Sequence, residues 1–431
     1  MIKAYFKQLW NIMKQNRLFT GIYVIGSGLA IAMTMTIFMV LYVKFAPVYP
    51  EYNRSRMVVM KYIGRTNKDK SPERFGGSLS YSLAEKFREL PHADKVTAMV
   101  SLPIKGVFSL AIPLNRTNLD VNCIFADAAY WEVFNFRFLS GGPFTEAEVT
   151  SNLPVVILSD NIAEKVFAST DVAGRQIAIN GQDYKVCGVV KEVSSTQSAT
   201  SAEIYLPLFT YPRIREDGLV GTFQFYLTAT DAGERDLLKS EVADVINRYT
   251  QEDPKFEYHL YGQPDDYWMS IFRTDTFSSP DIQKILRGFF YILLALLFIP
   301  ALNLSGMISS RMNRRMAEIG VRKAYGATNR QIVVQMLNEN LLLTCVGGII
   351  GLLLSYLFVW GANDWIHYVF DDTPNLMPGT ALPTPTLEMF FNPLLFVTVF
   401  ALCLLLNLIS ALIPTLWALR QSIIQCIYTK R

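Results

Sequence analysis

The stretch Met389–Leu419, MFFNPLLFVTVFALCLLLNLISALIPTLWAL, runs for 31 residues without Lys, Arg, Asp or Glu. Three further charge-free runs occupy residues 18–43, 288–310 and 340–363. Each run reaches the roughly 20 apolar residues that a helix needs to cross a bilayer. An ionised side chain at mid-membrane costs about 2.5–3.5 kcal/mol. Four such runs in a chain with 40 basic and 37 acidic residues therefore predict four transmembrane helices.

The alternative is that these runs are buried core helices of a soluble protein. Such helices are normally shorter and amphipathic, whereas residues 292–299 and 402–409 are apolar nearly all round. The composition, 51% hydrophobic and 18% charged, excludes a disordered chain. The first run is too long for the core of a signal peptide, so we expect it to remain as an anchor.

Charge is sorted between the segments that connect the runs. Residues 1–17, 311–339 and 420–431 together carry 13 basic residues against two acids, Glu318 and Glu339. The connection 364–388 carries four acids and neither Lys nor Arg. The positive-inside rule therefore predicts that both termini are cytoplasmic and that residues 44–287 lie outside.

The predicted fold is an α-helical membrane protein with four transmembrane helices and a large α+β extracytoplasmic domain inserted between helices 1 and 2. That domain, residues 44–287, mixes strand-like runs such as 155–158 with helix-like runs such as 234–249. Its clearest local signal is Asn180-Gly181 between two alternating segments, which predicts a hairpin with a type I′ turn.

The segments at the ends and between the later helices have simpler predictions. Residues 1–17 have apolar side chains at helical spacing, which favours an amphipathic helix in the inner interface. A basic tail that only sets topology is the alternative. Residues 311–339 form a cytoplasmic stalk and elbow, residues 364–388 a short outer loop, and residues 420–431 a cytoplasmic tail.

The chain shows no pattern of catalytic or metal-ligating residues. His92, His259 and His367 are isolated, without metal-ligand spacing. Cys123 and Cys187 fall in the exported region and could form a disulfide there, although two small buried thiols are the preferred interpretation. The sequence therefore predicts neither an enzyme nor a metal protein.

The elbow between the second and third runs has its own local signals. It reads RMNRRMAEIGVRKAYGAT over residues 311–328. Gly326 suits the end of a charged helix, because glycine is free to adopt a positive φ. Thr328 and Gln331 have the spacing of a capping box that begins the next helix. Glu318 and Arg322 can pair at i,i+4. On composition alone, a plain stop-transfer loop is the alternative.

This stretch resembles the signature of the MacB/FtsX-type ABC transporter permeases, Arg-x-x-Glu-Ile-Gly-x-Arg-Lys-Ala-x-Gly-Ala. The matching residues are Arg315, Glu318, Ile319, Gly320, Arg322, Lys323, Ala324, Gly326 and Ala327. Residues 134–142, 155–167 and 174–190 are similar to the periplasmic core domain of the family, and residues 413–420 to its ending of the fourth helix. Thr415 and Asn340 depart from the family pattern, but neither lies in the elbow.

The resemblance implies a permease subunit in the bacterial inner membrane whose elbow docks on a cytoplasmic ABC ATPase. The chain has no Gly-Lys dipeptide, which a phosphate-binding loop requires, so we expect the ATPase to be a separate subunit. ATP and Mg²⁺ would belong to that subunit, and the chain itself would hold no cofactor. Other expected partners are a second permease chain (a copy or a paralogue), membrane lipids, a periplasmic adaptor and an outer-membrane channel; nucleic acid is not expected.

The implied function is ATP-driven motion of the outer domain for export of a drug, peptide or lipid-like substrate. The alternative is a regulator, without transport, that passes the same motion to a cell-wall hydrolase or a signalling partner. A membrane-anchored hydrolase is a third possibility, although no nucleophile motif supports it. All four runs lack Asp, Glu, Lys, Arg and His, so we expect the helices to act as levers and cargo not to cross between them.

Small residues in two of the runs allow close approach of helix backbones. They are Gly21, Gly26, Ser27, Gly28 and Ala30 in the first run, and Gly347, Gly348 and Gly351 in the third. These residues can serve pairing with a second chain or packing within one chain, and for the third run the sequence favours neither.

Overall fold

The charge-free runs lie in long helices wherever the structure describes them. The computed structural model describes residues 17–69, 74–102, 108–112, 117–194, 197–314, 316–361 and 392–420. In chain order the helices are α1 (Arg17–Phe45), α2 (Leu83–Arg88), α3 (Tyr130–Val133), α4 (Glu146–Thr150), α5 (Asp160–Phe167), α6 (Arg235–Glu252), α7 (Tyr267–Ser270), α8 (Ile282–Arg314), α9 (Met316–Ala324), α10 (Asn329–Gly361) and α11 (Pro393–Leu419). Most of the predicted amphipathic segment 1–17, the connection 364–388 and the tail after residue 420 lie outside the described residues.

Two compact units make up the described chain. Among the described residues, the helical unit contains 17–42, 283–361 and 392–420, and the sheet unit contains Val43–Ile282. In the helical unit, α1, α10 and α11 are each long and apolar enough to cross a membrane. Helix α8 has 33 residues and contains the whole second charge-free run. The count of four membrane crossings stays a prediction.

Glycines set the distance between α1 and α10. A Cβ atom at Gly347 would lie 2.3 Å from Ser27 Oγ, and one at Gly351 would lie 2.8 Å from the backbone oxygen of Gly28. The Tyr23 hydroxyl lies 3.3 Å from Thr344 Oγ1 across the same contact. Of the two roles open to the small residues of the third run, packing within one chain is therefore the one that the structure shows for Gly347 and Gly351.

Sixteen strands of the described residues form two sheets in the sheet unit. They are β1 (Met57–Met60), β2 (Ile63–Asn67), β3 (Arg74–Leu79), β4 (Ala93–Leu102), β5 (Phe108–Ile112), β6 (Thr117–Val121), β7 (Cys123–Ala126), β8 (Phe138–Gly141), β9 (Val155–Ser159), β10 (Gln176–Ile179), β11 (Gln182–Val190), β12 (Ile204–Pro207), β13 (Val220–Gly221), β14 (Gln224–Ala229), β15 (Phe256–His259) and β16 (Asp265–Asp266). The larger sheet has the order β16-β1-β14-β4-β7-β12-β9-β11-β10-β5-β6, with β8 beside β11. The smaller sheet has the order β13-β3-β2-β15.

The larger sheet is mixed, and its central strands are apolar on both faces. Strand β9 pairs parallel with β11, and β12 pairs parallel with β7. All five residues of β9 and all four of β12 are buried, which explains why they read as continuous apolar runs rather than as alternating ones. Helices α2 and α6 bury Phe87 and Ile246 in the same core.

The predicted hairpin and the predicted elements of the outer domain are confirmed at the local level. Strands β10 and β11 pair antiparallel with Ile179 opposite Gln182. Asn180 and Gly181 have φ of 48° and 81°, as a type I′ turn requires. Both outer cysteines are free thiols, Cys123 fully buried and Cys187 half-buried.

Candidate functional site

The elbow begins with α9, whose C-terminal end is closed by backbone hydrogen bonds. The amide of Ala327 donates to the carbonyl of Arg322 at 3.0 Å, and the amide of Gly326 donates to Lys323 at 3.0 Å. This pair of bonds is the Schellman arrangement, which places Gly326 in the left-handed region at φ 89°. A Cβ atom at Gly326 would meet nothing within 4 Å, so the backbone conformation and not the space requires glycine.

The predicted capping box at the start of α10 is also present. The amide of Thr328 donates to Gln331 Oε1 at 2.9 Å, and the amide of Gln331 donates to Thr328 Oγ1 at 3.3 Å. Two free amides of the first turn are satisfied in this way. The turn between α9 and α10 is thus fixed from both sides, and residues 316–328 form a short element of defined shape.

One side of the elbow is apolar and buried. Met316 and Ile319 of α9 and Ile332 and Met336 of α10 are each less than 7% exposed. They belong to one apolar cluster with Leu419, the last residue of α11. Ile319 and Gly320, two of the signature residues, therefore serve packing inside the chain, as does the half-buried Ala327.

The charged signature residues also bond within the chain. Arg322 Nη2 donates to Glu318 Oε1 at 2.6 Å, which confirms the i,i+4 pair, and Arg322 Nη1 donates to Gln335 Oε1 of α10. Lys323 Nζ donates to the backbone oxygen of Leu419 at 2.7 Å. A cation at this position also suits the negative end of the α11 dipole. These bonds brace α9 against α10 and against the end of α11.

The side of α9 opposite the buried one carries the partly exposed Glu318 and two uncharged residues, Val321 in the helix and Tyr325 directly after it. Tyr325 is 89% exposed and Val321 is 48% exposed. They stand four residues apart and share one helix face. Ala324 and Gly326 of the signature are exposed as well, whereas Arg315 lies outside the described residues.

Sequence reasoning missed Val321 and Tyr325 because both occupy unspecified positions of the signature. Helical periodicity could have found them, since it places the two residues opposite Met316 and Ile319. An apolar residue on the solvent side of a charged helix is a signal for a contact surface.

Two acids of the sheet unit, the fully buried Asp127 and the half-buried Glu192, have raised pKa values. Burial raises the pKa of Asp127 to about 6, although Thr97 donates to it at 2.6 Å and Arg88 lies 2.9 Å away. Burial likewise raises the pKa of Glu192 to about 7, although Asn161 Nδ2 donates to it at 3.1 Å. Within the described ranges no group of three His, Cys, Asp or Glu residues could hold a metal ion.

Two sequence profiles match the chain. The MacB-like periplasmic core domain matches residues 20–245, more than half of the chain, and the FtsX-like permease C-terminal domain matches residues 289–423. The chain belongs to the MacB/FtsX-type family of ABC transporter permeases. It is accordingly a membrane protein with a large extracytoplasmic domain, and the elbow lies inside the FtsX-like part.

Individual relatives of this family are distant. The chain is 26% identical over 246 residues to the uncharacterized ABC transporter permease YknZ of Bacillus subtilis, covering 56% of this chain and 57% of that protein. It is 26% identical over 300 residues to the macrolide export ATP-binding/permease protein MacB of Nitrobacter winogradskyi, covering 68% of this chain and 44% of that protein. The periplasmic region of MacB from Actinobacillus actinomycetemcomitans aligns with a TM-score of 0.33 at 17% identity, over 47% of this chain and 88% of that one.

Proposed function

We propose that this chain is the membrane subunit of an ATP-driven ABC transporter and that a separate ATPase subunit docks on the elbow, residues 316–328. The observation that carries the proposal is the division of the elbow into two sides. Its charged residues are bonded internally, while Tyr325 stands 89% exposed at its tip. An element whose turn is closed by backbone bonds on one side and by a capping box on the other can transmit motion with little deformation, because these bonds hold the two helix ends in one arrangement.

In this proposal Val321 and Tyr325 contact the ATPase, and Arg322 and Lys323 hold the elbow in place. Tyrosine is favoured at the centre of protein interfaces because it combines a large apolar ring with a polar hydroxyl. The arginine and the lysine influence docking through the position of α9. This division adds separate roles for individual residues to the expectation that the elbow docks on the ATPase.

The work done by the ATPase reaches the outer domain through the helices, and cargo is handled outside the membrane. The helices contain few polar groups, and the acid nearest to the third charge-free run, Glu339, is buried and bonded to Gln335 at 3.4 Å. The cargo is a drug, a peptide or a lipid-like molecule, a class that fits relatives named for the export of macrolides and of pyoverdine.

The complex contains two permease chains, and a periplasmic adaptor with an outer-membrane channel completes the export route. Each chain crosses the bacterial inner membrane four times with both termini in the cytoplasm. Gly21 and Gly26 support pairing through α1, because a Cβ atom at either position would meet nothing within 4 Å among the described residues. Cysteines placed near Asp183 should react with an impermeant thiol reagent in intact cells, and cysteines near Arg314 should not.

Purification of the full-length chain with its co-purifying ABC ATPase tests the docking site. Tyr325→Asp should reduce the recovered ATPase by at least about 30-fold, because a charge replaces an interface anchor. Tyr325→Phe keeps the ring and should retain the complex. Undiminished recovery with Tyr325→Asp would exclude the elbow tip as the docking site. Recovery of a cell-wall hydrolase in place of an adaptor would instead favour the regulator over the exporter.

A further inference from the structure

The chain enters the sheet unit through residues 43–54, the incoming segment, and Arg54 fixes this segment. The Arg54 side chain is buried, and its Nη1 donates to the backbone oxygen of Val43 at 2.8 Å and to that of Ala46. Both oxygens lie at the C-terminal end of α1, where the last carbonyls have no partner inside the helix. Arg54 therefore caps α1 with a positive charge, which the helix dipole also favours.

Glu51 connects this cap to the rest of the sheet unit. Its side chain is fully buried and accepts from Arg54 Nε at 2.7 Å. It also accepts from Thr200 Oγ1 at 2.5 Å and from the Tyr267 hydroxyl. Tyr267 belongs to residues 260–281, the outgoing segment through which the chain leaves the sheet unit. One buried carboxylate thus holds both segments, although 216 residues separate Glu51 from Tyr267.

A second buried ion pair holds the outgoing segment itself. Arg273 donates to both oxygens of Asp265, at 2.5 and 3.0 Å, and both side chains are fully buried. The other Arg273 hydrogens reach the backbone oxygens of Ser278 at 2.7 Å and Tyr261 at 3.3 Å. Since α8 begins at Ile282, this guanidinium fixes the chain immediately before that helix.

Aromatic stacking and an amide complete the connection. The rings of Phe45, the last residue of α1, and Phe272 stack with their centroids 5.9 Å apart. Gln263 Oε1 accepts from the amides of Lys61 and Tyr62 at 2.9 and 3.2 Å, which joins the outgoing segment to the residues after β1.

Stability alone does not explain two buried ion pairs at these places. Taking both charges out of water costs about as much as their attraction returns, and apolar residues of the same volume often stabilise a fold better. Directional bonds do fix one geometry, which apolar contacts do less strictly. Both pairs occur where the chain enters and leaves the sheet unit, where geometry matters for passing motion into the unit.

We propose that Glu51, Arg54, Asp265 and Arg273 form a clamp that locks the end of α1 and the segment before α8 into one rigid arrangement. Motion of either helix end then reaches the sheet unit as a whole. These four are positioning residues. Their role in coupling rests on the proposed function above, whereas the clamp itself rests on the contacts within the sheet unit.

Amide hydrogen exchange on the full-length chain in lipid nanodiscs tests the clamp without any ATPase. Arg54→Met should accelerate exchange at amides in both 43–54 and 260–281 by about a hundredfold, because Glu51 loses its buried partner. The β10–β11 hairpin should keep its protection. The matched control is Arg56→Met, since Arg56 is a half-exposed arginine paired with Asp94 at 2.8 Å.

Tyr267→Phe gives a milder test should Arg54→Met fail to fold. It removes one hydrogen bond to Glu51 and keeps the ion pair, and it should still accelerate exchange in the incoming segment. Acceleration confined to the segment that carries the substitution, or none in either, would overturn the clamp.

Coupling between the ATPase and the sheet unit is measured by hydrogen exchange in the complex with the co-purified ATPase. ATP should change the exchange of the sheet unit in the wild-type chain, and Tyr267→Phe should lower that change at least about threefold while the ATPase stays bound. An equal change in both chains would refute the coupling role. Failure of the wild-type chain to bind any ATPase would refute the proposed function and leave the nanodisc exchange experiment to decide on the clamp.

Discussion

The helical unit and the sheet unit are stabilised by different contacts. In the helical unit, α1 and α10 approach so closely that Gly347 and Gly351 leave no room for a Cβ atom. In the sheet unit, large side chains such as Phe125 and Phe225 are fully buried in one core. Lipid is as apolar as the side chains, so association of helices depends on close fit, whereas the sheet unit gains stability by removing apolar surface from water.

Polar side chains also play different parts in the two units. The sheet unit buries complete ion pairs, such as Arg273 with Asp265. The elbow of the helical unit keeps its pair, Glu318 with Arg322, partly exposed. A half-exposed pair contributes little stability, and its value in the elbow is orientation. The comparison teaches which substitutions should destabilise each unit. In the helical unit a larger side chain at a glycine should crowd the helices, and in the sheet unit a smaller side chain in the core should lose buried apolar surface.

The largest expected effect is a cavity in the sheet unit. Phe225 is fully buried and its ring lies 5.3 Å from that of Phe87. Phe225→Ala should lower the free energy of unfolding by about 3–5 kcal/mol. Phe290→Ala in the helical unit, where the side chain is 59% exposed, should cost less than about 1 kcal/mol. Denaturant titration of each purified variant, followed by hydrogen exchange in each unit, measures the two losses in free energy of unfolding. Equal losses for the two variants would contradict the difference between the units.

Acidification should stabilise the sheet unit by about 2 kcal/mol between pH 8 and pH 5 through Glu192. The pKa of Glu192 is about 7 in the folded chain against an ordinary 4.5, so the folded state binds a proton first as the pH falls. The contribution is complete below about pH 4.5 and is lost as the pH rises through 7. Asp127, with its pKa raised to about 6, acts in the same direction.

Glu192→Gln should flatten this pH dependence, measured as the denaturant midpoint of the sheet unit at each pH. Glu164→Gln is the control, because Glu164 is an exposed acid on the neighbouring α5. A pH profile unchanged by Glu192→Gln would assign the dependence to other groups.

Crowding between α1 and α10 should have an effect of intermediate size. In Gly347→Val the new Cβ atom would lie 2.3 Å from Ser27 Oγ and 3.3 Å from the backbone oxygen of Val24. The helices must separate, at a cost of about 1–3 kcal/mol in thermal unfolding of the helical unit in detergent. Gly361→Val, in the same helix and with no described atom within 4 Å of the new Cβ, should be tolerated. Similar losses for both variants would contradict the close-fit explanation.

The smallest expected effect is at the elbow turn. Gly326→Ala introduces a Cβ atom at φ 89° and should cost about 1–2 kcal/mol, seen as faster amide exchange at Ala327. Gly326→Asn should cost less, because asparagine tolerates the left-handed region. If alanine and asparagine behave alike, the positive φ does not control the turn.

Local features of this protein could be predicted from the sequence. The hairpin at Asn180-Gly181, the helix end at Gly326 and the capping box at Thr328 were all predicted and are all present. Each depends on residues within five positions of one another, so the amino-acid types and their spacing contain the necessary information. The long apolar helices belong to the same class, since hydropathy is a sum over neighbouring residues.

Other features depend on partners that the spacing of residues does not reveal. Lys323 could face an ATPase or the chain itself, and only the position of Leu419 at the end of α11 decided that it bonds internally. The strand order of the larger sheet was not predicted, because it pairs distant segments such as β1 and β14.

By itself the sequence determined the membrane character of the chain, the family and the ends of the elbow helices, because apolar runs, a contiguous motif and caps are all local. Only the tertiary structure decided which glycines contact another helix, which signature residues face inward, and that Glu51 meets Tyr267. Those contacts join residues far apart in the chain, so they depend on the free energy of the whole folded chain and not on the sequence of any one segment.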